Sequence, residues 1–332
     1  MASFIDTWRL DLPSLVLGVG YIGSALAEYL IERGEKVVGL DNLFSTDTDA
    51  LDRLVQTAGG LFRLHIGDVL NVADLDAAFA AAGPEPVVYN LAAQSSADPA
   101  AASDDLTELV NLRGPRLVLE AAARHGARAV VFGSSARVIG PNLPKRLAEP
   151  APYGFVGDLS HLSKVYAEKL HELYAARTGL ACASVRLGLT YGVSPVMKRD
   201  YRFMPAPNKF CLQAERCETL VVRGSGPVGL VHVGDAATAL VTATELATSG
   251  QSPAWNAIAE ARTIRSVADA VVRAAAQRGF DAIVEAPDLS DEECDVDLGP
   301  SALRDGGWSP IHSLEQGIAE TLDHFLRHGI TQ

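Results

Sequence analysis

Two textures alternate along the first half of the chain. Short unbroken apolar runs read as strands buried on both faces, and between them apolar residues recur every three or four positions, the spacing of an amphipathic helix. Runs at Leu15-Val16-Leu17, Lys36-Val37-Val38-Gly39-Leu40, Phe62-Arg63-Leu64-His65-Ile66, Pro86-Val87-Val88-Tyr89-Asn90-Leu91, Ala129-Val130-Val131-Phe132 and 181–186 predict strands. Periodic stretches at 22–30 (Ile22, Leu26, Leu30), 50–56, 72–82, 106–125 and 160–178 predict the helices between them. Such alternation predicts an α/β fold, a doubly wound parallel (Rossmann) sheet, which binds ligands at the C-terminal ends of its strands. Small or polar clusters at 18–23, 41–46, 67–69, 92–96 and 133–137 all fall at those ends, along one rim.

Beyond Gly140 the texture changes. Pro141, Pro144, Pro150 and Pro152 mark a loop, and a proline-rich stretch at 191–208 is expected to lie over the cleft. Helices at 209–216, 235–248, 264–278 and 314–327, a strand at 219–223 and an acidic loop at 290–297 complete the pattern, with residues 1–13 as an irregular lead-in. This predicts a smaller C-terminal α/β lobe, built from 187–224 and 251–332, that binds substrate. Residues 1–186, with a contribution from about 225–250, form the nucleotide domain.

The chemistry begins at Leu15–Gly23, where a strand ends in Gly18, Gly20 and Gly23 and a helix opens at once. Glycines there permit a tight turn, a close backbone approach to a ligand and close helix–strand packing, while the free N–H groups of the helix N-terminus face an anion. Asp41, at the end of the next strand, is spaced to grip ribose hydroxyls. Together these predict a dinucleotide site, and Asp41 favours NAD over NADP, whose extra phosphate it would repel.

Composition adds exclusions. Of 332 residues, 48% are hydrophobic and 21% charged, as in an ordinary globular protein with ample core. A net charge of −13 disfavours nucleic acid and anionic membranes as partners, and leaves room for a local basic pocket. Asp6, Arg9 and Asp11 argue against a secretory signal, and no run is long enough to span a bilayer. Cys182, Cys211, Cys217 and Cys294 have neither CxxC nor zinc-like spacing, so no metal is expected and a cytoplasmic location with reduced thiols is. His65 lies within a strand and is expected to pack there.

Further motifs resemble the extended short-chain dehydrogenase/reductase family, the NAD-dependent epimerase/dehydratases. They include Val38-Gly39-Leu40-Asp41-Asn42-Leu43, Gly67-Asp68-Val69, Asn90-Leu91-Ala92-Ala93-Gln94, Asn111-Leu112-Arg113-Gly114 and Ser134-Ser135-Ala136-Arg137-Val138-Ile139-Gly140. Val231-His232-Val233-Gly234-Asp235, Gly307-Trp308-Ser309-Pro310 and Ser313-Leu314-Glu315-Gln316-Gly317 extend the likeness over most of the chain. The resemblance implies that Tyr21 and Ile22 touch the cofactor's pyrophosphate, and that Asp41 binds the adenosine ribose with the adjoining Asn42, Leu43, Ser45 and Thr46 nearby. It places Asp68 and Val69 at adenine, Leu91, Ala92, Ala93 and Gln94 along the nicotinamide half, and Asn111 near the cofactor. Ser135 matches the residue that hydrogen-bonds the reacting hydroxyl, and also suits a turn-capping role. A homodimer formed by the helices near 106–124 and 160–178 is implied as well.

Three departures stand out. Leu17 occupies a position where the family usually has glycine. The family's Tyr-x-x-x-Lys appears as Ser160-His161-Leu162-Ser163-Lys164, so the tyrosine that removes the hydroxyl proton is replaced by Ser160. Leu189 stands where an asparagine often binds a nucleotide-sugar diphosphate, which weakens that substrate class. The catalytic candidates are therefore Ser135, Lys164, Ser160 and His161. Lys164 is also suited to orient the nicotinamide ribose, and desolvation would lower its pKa enough to move protons. Tyr153, Tyr191 and His232 suit structural roles better. Ser95, Arg137, Lys198, Asn208 and Arg223 are candidate substrate contacts. The favoured expectation is a redox-neutral dehydratase or epimerase, the dehydratase somewhat ahead because the resemblance gives tyrosine loss precedents there, acting on a sugar or sugar-containing metabolite, a nucleoside among them, through a transient keto intermediate. A net NAD-dependent dehydrogenase or reductase and a catalytically impaired NAD-binding scaffold are the alternatives.

Overall fold

The structure is a computed structural model, and it describes residues 13–96, 98, 100–250, 254–286 and 294–329. The lead-in at 1–12 and the acidic residues 290–293 lie outside the described residues. Seven parallel strands form the main sheet: β1 (Ser14–Leu17), β2 (Val37–Asp41), β3 (Phe62–Ile66), β4 (Val87–Asn90), β5 (Ala129–Ser135), β6 (Ala181–Leu187) and β10 (Ala254–Ala257). Their order is β10-β6-β5-β4-β1-β2-β3. The winding reverses between β1 and β4, which pair directly from Ser14–Val87 to Leu17–Asn90, and this reversal opens a crevice at their C-terminal ends.

Helices α1 (Tyr21–Glu32), α2 (Thr48–Thr57) and α8 (Val233–Thr248) cover one face of the sheet, burying Leu26, Leu30, Leu51, Ala236 and Leu240 with Val16, Val131 and Trp255. On the other face α3 (Val72–Ala82), α5 (Gly114–Arg124) and α6 (Leu159–Thr178) bury Leu75, Phe79, Leu117, Val118 and Leu170 against Leu15, Leu17 and Val130. Strands buried on both sides explain why these runs are almost wholly apolar. A second core lies under α7 (Ala206–Glu215), α9 (Ile264–Ala276) and α11 (Leu314–His328), with Phe210, Leu230, Val271, Ile318 and Phe325 at its centre. It is flanked by a three-stranded sheet, β11-β9-β7, made of β7 (Leu189–Tyr191), β9 (Pro227–His232) and β11 (Glu260–Thr263), and by the pair β8 (Leu220–Val221) and β12 (Val284–Glu285).

Two expectations need correction. The helix read at 106–125 is broken into α4 (Asp104–Glu108), a π-helical turn at Leu109–Arg113, and α5. Pro115 lacks the N–H that would close the ladder onto residue 111, and the wider turn absorbs that break. Residues 254–257, read as part of the lobe, instead form β10, which extends the main sheet by pairing with β6. Ala-Trp-Asn-Ala is too short and too mixed to show this in the pattern.

Candidate active site

The crevice at the switch point opens into a cavity of about 990 Å³ that runs from the glycine turn to the N-terminal turn of α6. That is ample for a cofactor fragment and a small ligand together. At one end, Gly18 has φ +87, and a Cβ on it would stand 2.6 Å from the Ala92 nitrogen. A Cβ on Gly23 would overlap the Gly18 carbonyl oxygen, so only glycine lets α1 begin this close to β1. Gly20 differs: a Cβ there would meet nothing nearer than Lys198 Nζ at 3.9 Å and Thr46 Oγ1 at 4.0 Å. The space above Gly20 is thus open, and the amides opening α1 border it, a cradle suited to a phosphate.

Asp41 ties this turn to the next loop. One carboxylate oxygen accepts from the Val19 amide at 2.7 Å, and the other accepts from the Leu43 amide at 2.8 Å and the Thr46 hydroxyl at 3.0 Å. The oxygen bonded to Val19 keeps a lone pair for a hydroxyl in the cavity that Asp41 lines, while both lone pairs of the other are engaged. Asn42 donates to Asp68 at 3.0 Å, and Asp68 also accepts from the Leu70 amide, which squares off the wall expected at adenine. Ile22, Ser45, Thr46, Val69, Leu91, Ala92, Ala93 and Gln94 all line the cavity. Both side-chain atoms of buried Gln94 lack a protein partner, as expected of an amide that a ligand satisfies.

At the other end, β5 and α6 bring together Ser135, Ser160, His161 and Lys164. Asp158 starts α6 by accepting from the His161 amide at 2.9 Å, and Gly179, with φ 73, ends the helix. Lys164 donates to the Gly133 carbonyl at 2.9 Å and lies over the Phe132 ring, 4.7 Å from its centroid. Burial pulls its ammonium down to about 8, against the attraction of Glu168. His161 stands one helical turn before Lys164, on the same face, and its Nδ1 contacts both Asp158 oxygens at 2.8 and 2.7 Å. Desolvation would raise the Asp158 carboxyl, yet the His161 ring holds it below the usual range. Ser160 donates to the Gln94 carbonyl at 3.2 Å, so its hydroxyl proton is already engaged. Ser135 Oγ accepts from the Arg137 amide at 3.2 Å, which leaves its own O–H free for a ligand.

Beneath these groups lies a buried ion pair. Glu168 (0% exposed) accepts from Arg186 Nε at 3.0 Å and Nη2 at 2.8 Å, from Ser134 Oγ at 2.5 Å and from Tyr153 Oη at 2.8 Å. This cluster locks the end of β5 to α6 and β6, which sets the spacing between Ser135 and Lys164. Tyr153 is therefore structural. So are Tyr191, buried at 1% exposure, and His232, whose ring stacks 3.9 Å from His312.

Several expected contacts are elsewhere. Asn208 is fully engaged away from the cavity: its side chain accepts from the Gly192 amide at 3.0 Å and donates to the Gly192 carbonyl at 2.9 Å and to Tyr21 Oη at 3.1 Å. Asn111 accepts from the Gln94 amide and donates to its carbonyl, both at 2.8 Å, so it shapes the loop from behind and does not face a cofactor. Leu43 turns its side chain into the core. Tyr21 reaches the cavity, but its hydroxyl donates to the Gly192 carbonyl at 2.7 Å. Lys198, expected at the substrate, stands at the glycine turn. Ser95, Arg137 and Arg223 do line the cavity, with the Arg137 guanidinium donating to the Pro141 carbonyl at 2.7 Å. Sequence reasoning missed Arg202, Lys209 and Gln213 on the far wall. A signal existed: Lys209 and Gln213 are polar positions four apart, on one face of α7. The described residues from 187 onward that line the cavity include Lys198, Arg202, Lys209 and Arg223 and no carboxylate.

Residues 14–257 match the model of the NAD dependent epimerase/dehydratase family. The chain belongs to that family. It is 27% identical over 324 residues to a UDP-glucose 4-epimerase of Mycolicibacterium smegmatis, covering 95% of this chain and 98% of the relative. Against the UDP-glucose 4-epimerase of Bacillus subtilis it is 27% identical over 178 residues, 54% of this chain, and spans about half of that relative's length, 52%. The crystal structure of the Thermus thermophilus UDP-glucose 4-epimerase in complex with NAD superposes with a TM-score of 0.77 at 28% identity, over 94% of this chain and 98% of that one. Among the described residues of this family member, no helix is long and apolar enough to cross a membrane, and no cluster of ligating side chains suits a metal ion.

Proposed function

We propose that the protein is a redox-neutral, NAD-dependent epimerase or dehydratase acting on a sugar, or a sugar-bearing metabolite, that carries an anionic group. One observation carries the reading: a single cavity joins the glycine turn and Asp41 at one end to Ser135, His161 and Lys164 at the other. Relatives named as 4-epimerases favour epimerisation over loss of water. The carboxylate-free far wall, with Lys209 and Arg223, supports an anionic substrate. Leu189, which lines that wall in place of an amide, argues that a diphosphate, if present, is held differently from the family pattern.

Bound NAD would supply the chemistry of accepting a hydride from a carbinol carbon and returning it. The chain's residues position and move the proton. Ser135 donates its free O–H to the reacting oxygen. Lys164, neutral in a useful fraction near pH 8, takes the hydroxyl proton in place of the absent tyrosine. His161, oriented by Asp158 through Nδ1 and lining the same cavity, passes that proton between Lys164 and solvent through its other ring nitrogen. Gln94 and Ser160 hold the floor on which the substrate rests. Ser160 itself is a poor base whose proton is spent on Gln94.

Purified protein should release bound NAD on denaturation. With UDP-glucose as the first probe, then simpler sugar phosphates, it should convert substrate with no net growth of the reduced-nicotinamide band. Net growth would instead show a dehydrogenase, and a protein without NAD affinity would refute the reading. The same proposal includes a homodimer: Leu109, Leu162, Tyr166 and Leu173 are exposed apolar residues on the two helical stretches expected at its interface. Sedimentation at micromolar concentration tests it, and a monomer would remove it. The free cysteines accord with a reducing, cytoplasmic setting.

A further inference from the structure

The stretch at 192–199, between β7 and α7, crosses the mouth of the glycine turn and is pinned on both sides of it. On the α1 side, the Tyr21 hydroxyl donates to the Gly192 carbonyl at 2.7 Å, Ser194 Oγ donates to the Tyr21 carbonyl at 2.6 Å, and the Val196 amide donates to Ser24 Oγ at 3.1 Å. On the α2 side, Arg199 pairs with Asp47 at 2.5 Å, the residue whose side chain caps α2. Lys198 sits between these anchors, and its ammonium stands over Gly20 beside the Thr46 hydroxyl.

That ammonium makes no hydrogen bond or ion pair with another described residue. It has the Phe203 ring 5.6 Å away and feels the charge of Asp41, whose oxygens already hold Val19, Leu43 and Thr46. Burial lowers its pKa. A desolvated cation without a partner is costly unless a ligand completes it. Here it bounds the one open space above the amides that begin α1, so the missing partner must be an anion resting on those amides.

We propose that Lys198, carried by this strap, binds the diphosphate of the dinucleotide from the side opposite the glycine turn, so that the cofactor is held between the two lobes and released only when the strap lifts. This rests on the reading of the cavity as a dinucleotide site. The strap adds charge neutralisation that the glycine turn lacks, since amide donors and a helix terminus supply only partial charge.

The test is ligand affinity, measured calorimetrically with NAD, ADP-ribose and adenosine on wild-type protein freed of nucleotide and on Lys198→Gln and Lys198→Arg. Lys198→Gln is expected to weaken NAD and ADP-ribose by about 10–100-fold, the loss of one charge-assisted contact, and to leave adenosine unchanged. Lys198→Arg should keep most of the affinity. Nucleotide-free Lys198→Gln should melt at or above the wild-type temperature, because no protein hydrogen bond or ion pair is lost and a buried charge is removed, which separates the effect from misfolding. NAD affinity within twofold of wild type in Lys198→Gln, or equal losses for adenosine and ADP-ribose, overturns the proposal. A wild-type protein that binds none of the three removes the dinucleotide reading and the proposal with it.

Discussion

Gly20 and Gly23 allow a sharp separation of folding from ligand binding. A Cβ at Gly23 would overlap the Gly18 carbonyl, backbone that cannot swing aside, so Gly23→Ala should cost stability of about 1–3 kcal/mol or more. A Cβ at Gly20 meets only the ends of Lys198 and Thr46, at 3.9 and 4.0 Å. Its backbone, at φ −77 and ψ −148, lies just past the extended region. Alanine also restricts the unfolded chain, which stabilises by about 0.4–1 kcal/mol. Gly20→Ala should therefore fold with near wild-type stability. Its methyl group, however, would occupy the space where a phosphate meets the amides of α1. Losing one or two charge-assisted hydrogen bonds there, at about 1.5–3 kcal/mol each, should weaken NAD by at least about 10-fold. Denaturant unfolding without nucleotide and calorimetric titration with NAD measure the two effects. If Gly20→Ala unfolds like wild type and binds NAD equally well, the phosphate does not rest on this turn, and the placement of the cofactor is wrong.

The catalytic end supports further expectations. If Lys164 accepts the proton as a neutral amine, turnover should rise with pH and reach half its plateau near pH 8, and Lys164→Met should retain NAD while losing turnover; a flat profile between pH 6.5 and 9 would exclude the amine as base. Because its folded pKa is depressed from 10.5, the unfolded state binds the extra proton between about pH 8 and 10.5, so the Lys164 contribution to stability should increase with pH across that window, visible as a smaller slope in Lys164→Met. Glu168→Leu strands the Arg186 charge in a site with 2% exposure and should destabilise the protein by about 3–5 kcal/mol in chemical unfolding, whereas the Glu168→Leu/Arg186→Met double variant should recover much of that loss. Leu162→Glu should yield monomers in sedimentation if this exposed leucine lies in the dimer interface.

Much of the sheet was legible because parallel strands buried on both faces leave an unmistakable apolar run, and β3 and α3 have the predicted limits of 62–66 and 72–82. The glycine turn was legible for a related reason: steric need restricts the residue type. What stayed hidden depended on tertiary partners. β7, β9, β11 and β12 are strands whose pairing is decided by chain segments far away in sequence, and the strand read at 219–223 is present as β8 but its partner β12 did not show. Asn208 and Asn111 have residue types that suit ligand binding, and only the position of Gly192 and Gln94 shows that both amides are consumed within the protein. His161 is a catalytic candidate in the sequence, but the Asp158 carboxylate that orients its ring at the cavity shows only in the fold.

The π-helical turn at Leu109–Arg113 has a consequence of its own. It holds one residue more per turn than the α-helical segments on either side, so α5 is rotated by about 100° relative to the continuation of an unbroken helix. That rotation lets Leu106 and Val110 edge the cavity while Leu117, Val118 and Ala121 press into the sheet, and it points the Asn111 amide at the Gln94 backbone like a peptide of a neighbouring strand. The extra residue works as a phase shifter. Deleting Leu109, Leu112 or Arg113 would restore a regular helix, carry Asn111 off its partner and unseat the loop from Leu91 to Gln94, without removing a single side chain that lines the cavity.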